Sequence, residues 1–197
     1  MAYPRNASPS HFFFYAARPP DAVADQMAEV WQLFGTGDKL RRDKLHMTLL
    51  PVTDVAEVPE GMVELLLAAG ATVRQPSFEM ELDRLVTWHH GRGHNNPLVL
   101  TTATGRSAGA EAVVRALNSA LPQDLHWPQW RLVPHVTLAY GKGFAEDLIL
   151  PRPIRWHVDS FNLTESLRGK GRHIPLGTWQ LGGAGAEQLD LGLDPRP

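Results

Sequence analysis

The sequence predicts an α+β fold built as two lobes related by a pseudo-twofold. Three observations carry that prediction. Short apolar stretches at strand spacing alternate with longer stretches at helical spacing, which is the pattern of packed α+β layers. The order repeats coarsely: strand, helix, strand, helix, strand in the first half, then strand, helix, strand and further strands in the second. One tetrapeptide pattern, His-x-Thr-Leu, occurs once in each half, as His46-Met47-Thr48-Leu49 and as His135-Val136-Thr137-Leu138.

Residues 1–10 read as a flexible, Pro-containing lead-in, and residues 11–181 as one bilobal domain. His11 to Ala17, HFFFYAA, is a short aromatic run closed by Arg18-Pro19-Pro20 and reads as a buried strand. From Asp21 to Phe34 the apolar residues Val23, Met27, Val30, Trp31 and Phe34 fall at helical spacing. Pro20 and Asp21 supply the start and Gly35 the stop. The loop that follows carries Arg41, Arg42 and Lys44 just ahead of His46. It reads as a solvated turn, with a phosphate-attracting rim as the functional alternative.

After the first His strand, Pro59 to Ala69 reads as a helix stopped by Gly70. Phe78, Met80 and Leu82 alternate with Glu79, Glu81 and Asp83, which predicts a half-exposed strand. His89, His90 and His94 sit in a Gly- and Asn-rich loop that lacks Cys or carboxylate partners, so they read as loop residues and not as metal ligands. Leu98 to Ala103 is a strand, and Ser107 to Leu121 a helix burying Val113, Val114, Leu117 and Leu121. Beyond the second His strand the chain turns at residues 141–143. One long strand is expected from Ile154 to Thr164, with His157 on its surface. A solvated hairpin tip bearing Arg168, Lys170 and Arg172 follows, and then a closing strand from His173 to Leu181. Residues 182–197 read as a flexible tail.

Alternation along a strand gives each His-x-Thr-Leu copy its chemistry. Residues i and i+2 share a face, so His46 and Thr48 oppose Met47 and Leu49, and His135 and Thr137 oppose Val136 and Leu138. Each copy presents an imidazole and a hydroxyl on one face and an apolar back. Two imidazoles facing one another suit phosphodiester cleavage. One, neutral, takes a proton from the attacking oxygen while the other, protonated, gives one to the leaving oxygen. Neighbouring hydroxyls donate to the non-bridging oxygens where charge collects. This scheme calls for no cofactor and no metal. No Gly-x-Ser-x-Gly elbow, Walker sequence, dinucleotide fingerprint or His-Glu-x-x-His pattern offers another chemistry.

Composition sets the outer bounds. The 197 residues are 43% hydrophobic and 20% charged, ordinary for a globular protein. No apolar run is long enough for a membrane-spanning helix, and the N-terminus shows no signal-peptide pattern. The absence of Cys excludes disulfides and thiolate catalysis, and fits a cytoplasmic location. A net charge of −2 argues against a general nucleic-acid coating protein and for one that grips a short piece or an end. A monomer with no membrane and no obligate protein partner is expected.

The segments LHMTLL and PHVTLAY resemble the two signature motifs of the 2H phosphoesterase superfamily. The nearest likeness is to its RNA 2′,3′-cyclic phosphodiesterase branch, also called bacterial 2′-5′ RNA ligases. HFFFYAARPP and residues 164–181 extend the likeness over residues 11–181. The resemblance implies two antiparallel sheets with outer helices around a central cleft. It implies His46 and His135 as the catalytic pair and Thr48 and Thr137 as phosphate ligands. It also implies metal-independent hydrolysis of 2′,3′-cyclic phosphates, on RNA ends or nucleotides, to 2′-phosphomonoesters. By analogy His135 activates water and His46 protonates O3′, although the residues themselves permit either order.

Pro51 and Tyr140 depart from residues common in that branch, which often carries Arg at the position of Tyr140. Regular alternation puts Ala139 on the cleft face and Tyr140 opposite, unless the strand breaks near its end. Tyr140 and Phe14 are therefore candidate walls that stack on a base. The alternatives are cleavage or ligation of 2′-5′ linkages, a phosphodiesterase for small cyclic nucleotides, and a non-catalytic module that binds RNA ends.

Overall fold

Aromatic and β-branched runs form the strands, and they assemble into two sheets that mix the two halves of the chain. The computed structural model describes residues 10–34, 39–89, 95–125, 130–144 and 146–182; most of the expected lead-in and tail, and His90 and His94, lie outside them. The strands are β1 (His11–Ala17), β2 (Met47–Val55), β3 (Phe78–Thr87), β4 (Asn96–Thr101), β5 (His135–Gly141), β6 (Leu148–Val158), β7 (Ser160–Leu167) and β8 (Arg172–Gln180). The helices are α1 (Asp21–Phe34), α2 (Met62–Ala71) and α3 (Ala108–Ala120). One four-stranded antiparallel sheet runs β2-β1-β7-β8, and the other β5-β4-β3-β6. Among the described residues no helix is long and apolar enough to cross a membrane.

The lobes are thus not the two halves of the chain. The first sheet takes β1 and β2 from the start and β7 and β8 from the end, while the second is the continuous middle. The long strand expected from Ile154 to Thr164 is two strands separated at Asp159, and they belong to different sheets. Continuous β propensity hid that crossing, because a single non-strand residue is enough to redirect the chain.

Each sheet buries its apolar side against helices. α2 packs on β7 and β8, α1 on β5 and β6, and α3 against β2, β3 and α2. Gly70 does not stop α2 but lies within it. A Cβ there would stand 2.5 Å from the Trp179 ring, so glycine lets the indole of β8 lie flat on the helix. Tyr15 donates its buried hydroxyl to the Leu66 carbonyl at 2.6 Å, tying β1 to α2. Ser107, expected as the first helical residue, is instead the N-cap of α3, its hydroxyl accepting from the Ala110 amide. With the backs covered, the opposite faces of the two sheets meet at a cleft, where β2 and β5 touch.

Candidate active site

Both His-x-Thr-Leu copies lie at the base of this cleft, and each is bent by a β-bulge at its leucine. On β2 the register passes from Ala16↔Thr48 to Tyr15↔Leu50, leaving Leu49 as the extra residue. On β5 it passes from Val99↔Thr137 to Leu98↔Ala139, leaving Leu138 extra. A bulge shifts the alternation by one position and re-aims the side chains beyond it. Ala139 is therefore buried, not on the cleft face as regular alternation predicted, and Tyr140 turns into the cleft. Pro51 holds the same position after the first bulge and also lines the cleft.

The bulges also join the lobes. The Arg41 amide donates to the Leu138 carbonyl at 2.9 Å, and the Trp130 indole Nε1 donates to the Leu49 carbonyl at 3.1 Å. Arg41 and Trp130 each stand five residues before a motif histidine. Each bulged leucine thus offers its carbonyl to the segment leading into the opposite motif.

A cavity of about 500 Å³ is lined by Phe12, Phe14, Arg41, His46, Thr48, Pro51, Trp88, Trp130, His135, Tyr140, Ser166, Arg168 and His173. It brings together five of the six predicted site residues: Phe14, His46, Thr48, His135 and Tyr140. Thr137, half-buried two residues after His135 on β5, is not among the residues that line the cavity.

The two imidazoles are held alike. His46 Nδ1 lies 2.7 Å from the Lys44 carbonyl, and His135 Nδ1 lies 2.7 Å from the Val133 carbonyl. A carbonyl only accepts, so each Nδ1 carries the proton and donates it. Each Nε2 is left as the nitrogen able to take a proton or, once protonated, give one. An aromatic ring covers each: Phe14 lies 5.1 Å from His46, and Trp88 lies 4.2 Å from His135, centroid to centroid.

This enclosure sets the protonation states. Desolvation pushes His46 down to about 3, with His173, His135 and Arg41 adding repulsion against the Lys44 carbonyl bond. Desolvation also lowers His135, opposed by its bond to Val133. Both rings are neutral near pH 7 without a bound anion. An anion between them favours an imidazolium and lifts the lowered values.

His173 sits edge-on to His46 with centroids 5.4 Å apart, and edge-on to Phe14 at 5.6 Å. Burial brings it down to about 4, aided by Arg41, Lys44 and Arg18. Arg168, expected at a solvated hairpin tip, instead lies over the Phe12 ring at 4.5 Å and pairs with Asp54 at 3.0 Å. Phe12, Trp88, Trp130, Ser166 and His173 were not singled out for the site from sequence. The one signal for Phe12 was its i, i+2 spacing with Phe14. His89, set aside as a loop residue, bonds the Phe144 carbonyl at 3.1 Å, and no group of metal-ligating side chains occurs among the described residues.

Comparison with known proteins agrees with this geometry. The family model described as the 2′-5′ RNA ligase superfamily matches residues 19–170, which hold both motifs. No curated protein matches the chain significantly. The solved structure of Escherichia coli LigT in apo form is similar, with a TM-score of 0.68 and 23% identity over 89% of this chain and 100% of LigT. TT0787 of Thermus thermophilus is similar too, with a TM-score of 0.68 and 23% identity over 88% of this chain and 99% of its own. At that identity the two structures speak for the shared fold, and the motif-bearing family match supplies the assignment. The chain belongs to the 2′-5′ RNA ligase superfamily, within the 2H phosphoesterases, a family that cleaves or joins phosphodiester bonds.

Proposed function

We propose that this protein hydrolyses 2′,3′-cyclic phosphates, on RNA ends or nucleotides, to 2′-phosphomonoesters, with His46 and His135 as the acid–base pair. One observation carries the reading: two imidazoles, each with Nδ1 fixed by a backbone carbonyl, line one cavity, and among the described residues neither Nε2 has a hydrogen-bond partner. One Nε2 takes a proton from water as the water oxygen bonds to phosphorus. The P–O3′ bond breaks, and the other Nε2, as imidazolium, gives O3′ its proton. The Thr48 and Thr137 hydroxyls donate to the non-bridging oxygens.

The anion supplies what the free site lacks, because its charge favours the imidazolium that desolvation opposes. Trp88 and Tyr140 offer faces on which a base stacks, whereas Phe14, the other wall expected from sequence, is 3% exposed and packed against Phe12, His46 and His173, so it supports the imidazoles instead. LigT has been solved with phosphate and with 3′-AMP, which are phosphate-bearing ligands although 3′-AMP is the isomer of the product proposed here. The test is a product assay on a panel of 2′,3′-cyclic nucleotides, cyclic-phosphate RNA ends and a 2′-5′-linked dinucleotide, run with and without chelator. A 2′-phosphomonoester formed from the cyclic substrates, unaffected by chelation, is expected. Turnover of the 2′-5′ linkage alone would replace the proposal with that activity. Binding without turnover would leave a module for RNA ends.

A further inference from the structure

The cations around the cleft are not alike, and the difference points to a second anion. Arg168, at one end, is neutralised by Asp54. Arg42 is held by Asp21 and Asp25 outside the cavity, Lys44 donates to the Gly171 carbonyl, and Arg18 donates to the Asp43 carbonyl. Arg41 differs. Its guanidinium lies 5.1 Å above the Tyr140 ring and lines the cavity, and among the described residues it pairs with no carboxylate. Its main chain is pinned to Leu138, so the head group is presented to the cleft on a fixed stem.

Beside it, His173 also faces the cavity from β8, next to Ser166 of β7, which lines the same wall. Its ring is fixed between Phe14 and His46. The cations that bear on His173 are Arg41, Lys44 and Arg18, against the single carboxylate Asp43. The cleft therefore has a half-buried corner beside His46 where, among the described residues, the Arg41 guanidinium pairs with no carboxylate and the cations outnumber the one carboxylate, Asp43.

We propose that Arg41 and His173 form a second phosphate subsite, which takes a phosphate of the same substrate other than the one being hydrolysed. On a nucleotide with a 2′,3′-cyclic phosphate, that group is the 5′-phosphate. The preferred substrate class is then a 5′-phosphorylated nucleotide, free or as the last residue of an RNA chain, and not a nucleoside cyclic phosphate. Arg41 supplies a planar guanidinium able to make two parallel hydrogen bonds, and His173 supplies one ring N–H. This rests on the cyclic phosphodiesterase reading, so its test measures binding and not turnover.

Isothermal titration of the whole protein compares adenosine 2′-monophosphate with adenosine 2′,5′-bisphosphate. The bisphosphate is expected to bind at least about tenfold more tightly, as charge-assisted hydrogen bonds imply. Arg41→Gln should bring the ratio close to one. His173→Phe, which keeps a ring against Phe14 and His46, should lower it by a smaller factor. Arg155→Gln, on the outer side of β6, should leave it unchanged. A third ligand, a dinucleotide with a 3′-terminal 2′-phosphate, separates the sources. Tight binding of its internal phosphodiester assigns the subsite to an RNA chain, and tight binding of the bisphosphate alone assigns it to a free nucleotide. Equal affinities for the first two ligands in the unmutated protein would overturn the subsite, as would an equal loss in Arg41→Gln and Arg155→Gln. Failure of the catalytic reading would appear separately, as absence of turnover with the binding ratio intact.

Discussion

At the residue scale the two histidines share one design and differ in surroundings. Each is oriented by a carbonyl two residues earlier and covered by one aromatic ring, but His46 also faces His173 and Arg41. Acid and base act in one step, so His46→Ala and His135→Ala should each lower kcat by about 10²–10⁴-fold with melting temperature nearly unchanged. Thr48→Ala and Thr137→Ala each remove one donor to developing charge and should cost about 10–10³-fold. Thr48 lines the cavity, so its loss is expected at the upper end of that range. The pH profiles carry a sign. Both imidazoles are lowered in the free protein, so kcat/KM should peak on the acid side of the ordinary histidine value. Bound phosphate lifts them, so the kcat profile should sit at higher pH than the kcat/KM profile. Tyr140 offers a stacking face worth about 1–3 kcal/mol per base and also supports Arg41. Tyr140→Ala should raise KM with little change in kcat, whereas Tyr140→Phe should be nearly silent.

At the element scale the bulges decide what the cleft presents, and they mark where sequence reasoning ended. Periodicity located β1 and α1 at their observed bounds, and it paired each His with its Thr on one face. These features are local, set by side-chain alternation and end signals. A bulge is a property of two paired strands, so nothing within LHMTLL or PHVTLAY alone states that its leucine will stand outside the ladder. Regular alternation consequently put Ala139 on the cleft face, and Tyr140 entered the candidate site only through a break near the strand end, which the bulge supplies. His173 and Ser166 escaped notice for a related reason: they join the site only because β7 and β8 return to flank β1, a pairing with no local signature. The bulge carbonyls give this scale its own prediction. Trp130→Phe keeps the ring but removes the donor to the Leu49 carbonyl. It should cost about 0.5–1.5 kcal/mol of stability and lower kcat, since that bond ties the segment before His135 to the bulge of the opposite motif strand. Calorimetry and steady-state kinetics on the same variant measure both.

At the scale of the whole molecule, the cleft couples stability to pH. His46 and His173 are brought down to about 3 and about 4 by desolvation and by the cations around them, and His135 is lowered as well. In the unfolded chain these rings take up protons near the ordinary histidine value of about 6.5. Between that value and the lowered ones the unfolded state binds more protons, so stability rises with pH across the window. The loss begins as pH falls below about 6.5, and it levels off only below about 4 for His173 and about 3 for His46. Melting temperature should therefore fall from pH 7 to pH 4.5. His173→Phe should flatten that slope while keeping the packing against Phe14 and His46. A phosphate-bearing ligand acts in the opposite sense, because an anion beside the rings favours their charged forms and binds the folded state alone. The rise in melting temperature produced by a fixed saturating concentration of adenosine 2′-monophosphate should thus be larger at pH 5.5 than at pH 7.5. A rise that is the same at both values would mean that the bound phosphate does not meet the imidazoles.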